Sequence, residues 1–119
     1  MPRKPSAEAL DTRAWLRGLP KAELHLHLEG SITPETLVEL SRTNDPVPLT
    51  EEQARAVYTY TDFPSFLMSF KAVTERLHTP ADYETVTYNM VRDLAAQGVV
   101  HAEVYISFGI IYYLSLIHI

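Results

Sequence analysis

The chain has 119 residues, 46% of them hydrophobic, a net charge of −5 with histidine neutral, and no cysteine. That size and composition suit one small domain with an ordinary core, and the lack of a basic patch or Lys/Arg stripe argues against a nucleic-acid partner. Without cysteine there is no disulfide and no thiolate-ligated metal, so any bound metal must take His, Asp or Glu ligands.

The opening "MPRKPSAEALDTR" is polar, with early positive charge and no apolar h-region. A secretory signal is therefore not expected, and a cytoplasmic location is. "DTRAWLRGLP" reads as a short helix ended by Gly18 and Pro20. The first strand is expected over about Glu23 to Leu28. Strand side chains alternate between faces, so Glu23, His25, His27 and Glu29 share one face and Ala22, Leu24, Leu26 and Leu28 the other. Gly30 allows a sharp turn. A helix follows directly, with Thr33 as N-cap, Pro34 at the first position, Glu35 on the positive dipole end and Leu37 and Leu40 facing inward.

That helix is expected to stop near Asn44, before "DPVP". "LTEEQARAVY" reads as a second helix capped by Thr50, and "FPSFLMSFKAVTERL" as a third that begins after Asp62. The clearest helix is "TPADYETVTYNMVRDLAAQG", with Thr79 as cap, Pro80 at the start and Asp82 as the capping-box acid. Tyr83, Val86, Met90, Val91 and Leu94 form its expected apolar face, and Gly98 its left-handed cap. The second strand, "VVHAEVYIS", again alternates: Val100, Ala102, Val104 and Ile106 against His101, Glu103, Tyr105 and Ser107. From Val104 to Ile119 there is no charged residue. The run is too short for the ~20 residues of a membrane span and is read as buried strand followed by an apolar tail.

Strand, helices, strand is a βαβ order with an enlarged crossover, which implies parallel strands. Parallel strands are usually apolar on both faces, and these two are not. A barrel interior carrying a site at its C-terminal end accounts for the polar face.

His25-Leu26-His27 places two imidazoles about 7 Å apart at Cβ on one strand face, close enough for both rings to reach one zinc at ~2.1 Å. The plain alternative is a half-exposed strand with two histidines facing water. Glu29 could equally interact with the helix N-terminus behind it, and the Phe/Leu stripe of the third helix could be helix core. His101 and Glu103 are expected to fill space or pair with each other, and His78 to lie on the surface.

"LPKAELHLHLEGSITPETLVEL" resembles the opening strand and helix of the adenosine deaminase family of metal-dependent hydrolases. "FPSFLMSF" resembles that family's lid helices and "QGVVHAEVYIS" its second barrel strand, so the likeness runs from about Leu19 to Tyr112. It implies an α/β fold, the N-terminal part of a (β/α)8 TIM-type barrel, with about two of eight strands and their crossover helices. It divides the chain into a leader and short helix over 1–18, a barrel portion over 19–112 and an anomalous apolar tail over 113–119.

By position, the resemblance makes His25 and His27 the first two Zn2+ ligands, with His27 also bordering the substrate. It makes Glu29 the acid that hydrogen-bonds a nucleoside 5′-hydroxyl, and Phe63, Phe66, Leu67 and Phe70 the apolar wall beside the substrate. Glu29 stands where many adenosine deaminases have the shorter Asp, which gives weight to a free base or a modified nucleoside. The implied reaction is hydrolytic release of ammonia from C6 of a purine: metal-activated water attacks and a glutamic acid protonates the ring.

The stretches "YTDFPSFLMSFKAVTERLHTPADY" and "EVYISFGIIY" look closer to the aminodeoxyfutalosine deaminase branch. Adenosine and free adenine are the other candidate substrates. The family's third zinc histidine, metal aspartate, proton-donating glutamate and base-contacting residues have no counterpart here, so an inactive N-terminal fragment with a foreign tail is expected. The alternative is a non-catalytic metal-binding or interaction segment. Open strand edges and the apolar tail predict self-association.

Overall fold

A computed structural model describes residues 7–113. In chain order it holds α1 (Ala7–Gly18), β1 (Lys21–His27), a 3-10 turn (Glu29–Ser31), α2 (Pro34–Asn44), α3 (Glu51–Val57), α4 (Phe63–Thr74), α5 (Pro80–Ala96), β2 (Val99–Tyr105) and α6 (Phe108–Tyr113). The start of the expected leader, residues 1–6, and the tail from residue 114 onward lie outside the described residues.

The two strands pair in parallel, with Lys21 opposite Val99, Leu26 opposite Val104 and His27 opposite Tyr105. Four helices fill the crossover between them, which is the expected α/β organisation. The helix starts are set by local side chains. Thr33 accepts from Thr36 N with Pro34 behind it, and complete capping boxes open α3 (Thr50 and Gln53), α4 (Asp62 and Ser65) and α5 (Thr79 and Asp82).

The core lies on one side of the strand pair. Leu28 and Ile32 at the turn, Leu37, Val38 and Leu40 of α2, Ala54, Val73 and Leu77, and Val86 and Met90 of α5 form one buried cluster. A polar tie crosses it: the buried Asn89 donates to Thr36 Oγ1 at 3.1 Å and to Glu39 Oε2 at 3.0 Å, joining α5 to α2. On the strands, Leu24 is 61% and Val100 76% exposed.

A second tie joins α1, α5 and β1. Gly98 has φ +77°, the expected left-handed cap. Lys21 Nζ donates to Leu19 O at 2.8 Å and Gln97 O at 2.7 Å, gathering carbonyls that follow α1 and α5 at the foot of β1.

Four expectations are corrected. β1 ends at His27 rather than Leu28, because Leu28 already has helical angles (φ −55°, ψ −49°) and Glu29 opens the 3-10 turn. Glu29 is thus off the strand alternation and turns into the core. Val91 is 55% exposed and does not belong to the inner face of α5; Met90 takes that position, and its neighbour lies about 100° round the helix. The helix at the N-terminus starts at Ala7, earlier than expected. The strand part of the apolar run from Val104 is not buried: Val104 is 38% exposed and Tyr105 and Ile106 are each 47% exposed. The ladder finishes at Leu28 N–H to Tyr105 O, 2.9 Å, and Ser107 O then accepts from Ile110 N and Ile111 N to start α6.

No helix among the described residues is long and apolar enough to cross a membrane.

Candidate functional site

The C-terminal ends of the two strands and the turn after β1 meet at one place. His25 and His27 rise from the same face of β1, and their Nε2 atoms are 3.1 Å apart. Tyr105, at the end of β2, stacks on His25 with ring centroids 4.4 Å apart and planes 23° apart, and lies 5.7 Å from the His27 ring. Both imidazoles are exposed on this side.

Two nitrogens held at ~2.1 Å by one tetrahedral zinc lie roughly 3.4 Å apart. The observed pair fits that bite, and a neighbouring aromatic ring restrains one of the two. Among the described residues no group of three or more His, Asp or Glu side chains comes together to hold a metal. The chain therefore presents two converging ligands of such a set.

Beside the histidines is a pocket of about 250 Å³ lined mainly by His27, Glu29, Tyr58, Tyr60, Phe66 and Phe70. The turn at Leu28–Ser31 puts Glu29 at its inner edge, 1% exposed. Glu29 Oε1 accepts from the Ser107 N–H at 3.0 Å and the Tyr83 hydroxyl at 3.3 Å. Oε2 is buried without a hydrogen-bond partner among the described residues. Its bonds thus go to the end of β2 and to α5, while Thr33 caps the first turn of α2.

Tyr58 closes another side. Its hydroxyl donates to Ile32 O, and burial, helped by the charge of Glu35, pushes its pKa well above the ordinary value. Burial also raises the Tyr83 hydroxyl, with the charge and hydrogen bond of Glu29 adding to it. Both phenols remain donors at neutral pH.

The aromatic stripe of α4 divides. Phe66 and Phe70 reach the pocket, whereas Phe63 is 68% exposed and Leu67 is also exposed. The rings form a chain from Tyr60, edge-on to Phe66 at 5.2 Å, with Phe63 and Phe70 6.1 and 6.5 Å from Phe66. Phe63, Phe66 and Leu67 are exposed among the described residues. His101 faces Glu103 at 3.5 Å, the mutual pairing expected of them, and His78 is exposed with its ring against Glu75 O.

From sequence alone Tyr83 falls only on the apolar face of α5, and Tyr58 and Tyr105 carry no role. The signal for Tyr105 was present in its position opposite the histidines on the second polar strand face. Nothing in the spacing of Tyr83 and Glu29, which are 54 residues apart, announced their contact.

A sequence model of the adenosine deaminase family matches residues 20–113. The chain is 38% identical over 99 residues to an aminodeoxyfutalosine deaminase of Streptomyces coelicolor, covering 82% of this chain and 26% of that protein. It is 39% identical over 98 residues to an adenine deaminase of Geotalea uraniireducens, covering 80% and 27%. The crystal structure of adenine deaminase from Arthrobacter aurescens superposes with a TM-score of 0.73 at 33% identity, over 82% of this chain and 31% of that one. The chain thus spans about a quarter of the length of these curated relatives, and its two parallel strands and crossover helices are the N-terminal part of a TIM-barrel-type fold.

Proposed function

The chain belongs to the adenosine deaminase family, and from that premise we propose that it is the opening segment of a metal-dependent hydrolase that releases ammonia from the 6-amino group of a purine, with free adenine as substrate. The observation that carries this reading is the convergence of His25 and His27, Nε2 to Nε2 at 3.1 Å, beside a pocket shared by His27 and Glu29.

In this proposal His25 and His27 supply two ligands to zinc, which when bound makes water nucleophilic near neutral pH. His27 also borders the substrate, placing the purine edge next to the metal side of the pocket. Glu29 fixes the far edge of the ring through a hydrogen bond. Phe66 and Phe70 cover the purine face and exclude water, and Phe63 and Leu67 extend that apolar wall toward solvent. Excluding water strengthens each polar contact inside.

Adenine is favoured over adenosine and aminodeoxyfutalosine because the kinship with adenine deaminases extends to a solved structure. A longer acid at Glu29 than the usual Asp weighs against unmodified adenosine, in favour of a free base or a modified nucleoside.

The experiment is ammonia release from adenine, adenosine and aminodeoxyfutalosine by the intact enzyme carrying this segment. Adenine should have the highest kcat/KM; turnover of none of the three removes the proposal. A second reading, that these 119 residues alone act as a non-catalytic metal-binding or interaction segment, is favoured by the presence of two converging ligands rather than a set of three among the described residues. The exposed Leu24 and Val100 beside the unpaired strand edges support self-association in that case, which light scattering across a concentration series would detect.

A further inference from the structure

The carboxylate of Glu29 is supplied unevenly. Oε1 takes two donors from different parts of the fold, the Ser107 amide at the exit of β2 and the Tyr83 hydroxyl on α5. Oε2, which is buried, takes none among the described residues. A buried carboxylate oxygen without a donor is costly to maintain. Yet the same carboxylate places two donors on a single oxygen.

Two donors on one oxygen from fixed elements set the rotation of the carboxylate about its last bond. They hold Oε2 back for a donor that the described residues do not provide. The Ser107 donor is backbone and does not depend on side-chain identity. Tyr83 is the side chain that completes the clamp. Its half-buried ring packs against the core cluster, and its raised pKa keeps the hydroxyl protonated as a donor. Glu29 is one of the residues lining the pocket that His27 also lines.

We propose, resting on the purine deaminase reading above, that Tyr83 is a positioning residue for substrate recognition: its hydroxyl holds Glu29 so that Oε2 accepts a hydrogen bond from a ring N–H of a free purine base. An ionised carboxylate is an acceptor only, so it rewards a ligand that brings a donor to that edge. Adenine has a ring N–H in its five-membered ring. A purine alkylated at that nitrogen has none there, and the held carboxylate discriminates against it. Tyr83 thus acts on ligand choice through Glu29 without touching the ligand.

The test compares Tyr83→Phe with the unmutated intact, metal-loaded enzyme, using adenine as substrate and 9-methyladenine as a competing ligand that lacks the ring N–H. Phenylalanine keeps the ring packing and removes only the hydroxyl. The expected result is a KM for adenine raised about tenfold, a kcat changed by less than twofold, and unchanged inhibition by 9-methyladenine. An unchanged KM overturns the proposal. So does a parallel loss in kcat or in 9-methyladenine binding, which marks a merely structural contact. A double-mutant cycle with Glu29→Gln, read by thermal melting, tests the link without turnover: the two losses should be non-additive, and strict additivity overturns it. Failure of the unmutated enzyme to deaminate any purine defeats the functional reading alone, and the cycle still decides whether Tyr83 and Glu29 act together.

Discussion

His25 Nε2 and His27 Nε2 stand 3.1 Å apart at the end of β1 with one leucine between the two residues. Removing either ring leaves a single nitrogen ligand, and one imidazole cannot hold zinc against water with comparable strength. His25→Ala and His27→Ala are each expected to weaken zinc binding by more than the ~10–100-fold that loss of an outer-shell partner costs. Competition with a chromophoric chelator measures it. Equal zinc affinity in the double variant would show that the pair is not a metal site.

Tyr105 is expected to matter to the same affinity through its ring rather than its hydroxyl. It stacks on His25 at 4.4 Å and belongs to the other strand, so it restrains the imidazole from across the sheet. Tyr105→Phe should bind zinc as the parent does, whereas Tyr105→Ala should bind about tenfold more weakly, within the range for groups that orient a metal ligand without touching the metal. The visible spectrum of the cobalt-substituted protein gives a second measure, since a loosened His25 changes the ligand field. Equal affinity in both variants would remove the stacking from the account.

The parts of this fold governed by neighbours in sequence were legible before the structure. Thr33-Pro34, Thr79-Pro80 with Asp82, and Gly98 each specify a helix end through contacts a few residues long, and each is where it was expected. The parallel strand order followed from the crossover. The fate of Glu29 was not legible. Its alternation with His25 and His27 implied a shared strand face, but Leu28 turns helical and sends Glu29 inward to partners at Tyr83 and Ser107. The helix at Phe108–Tyr113 was hidden for a related reason. A β-branched, aromatic run reads as strand until its ladder partner ends, and β1 ends at His27.

Gly98 should resist substitution. At φ +77° an added Cβ would sit 2.8 Å from Arg17 O and 2.9 Å from Leu19 O, both backbone atoms. Left-handed geometry alone costs a non-glycine residue ~1–2 kcal/mol, and backbone oxygens cannot move away as a flexible side chain can. Gly98→Ala should therefore lose about 2 kcal/mol or more, seen as a lower urea midpoint with an unchanged m-value. A midpoint equal to that of the parent would mean that the α5–β2 junction is slack.

Asp45 gives the chain an acid-sensitive joint outside the residues that line the pocket. Burial raises its pKa, but hydrogen bonds from Ser41 Oγ at 2.6 Å and Arg76 Nε at 2.8 Å, with the charges of Arg76 and His78, outweigh burial and hold it below the ordinary value. The folded state thus binds the Asp45 proton less readily than the unfolded chain does. Its stabilisation is complete above the unfolded value of about 4 and fades as pH falls through the lower folded value. Protonation also weakens the hold on Arg76, which bridges α2 to the turn after α4. The pair is about one-fifth exposed on each side, so solvent screens it less than a surface pair. Asp45→Asn should be less stable than the parent at pH 6.5, and the gap in urea midpoint should close progressively below about pH 4. A gap that stays constant down to pH 2.5 would mean that the carboxylate is not the titrating element, and that the loss comes from the Ser41 and Arg76 geometry alone.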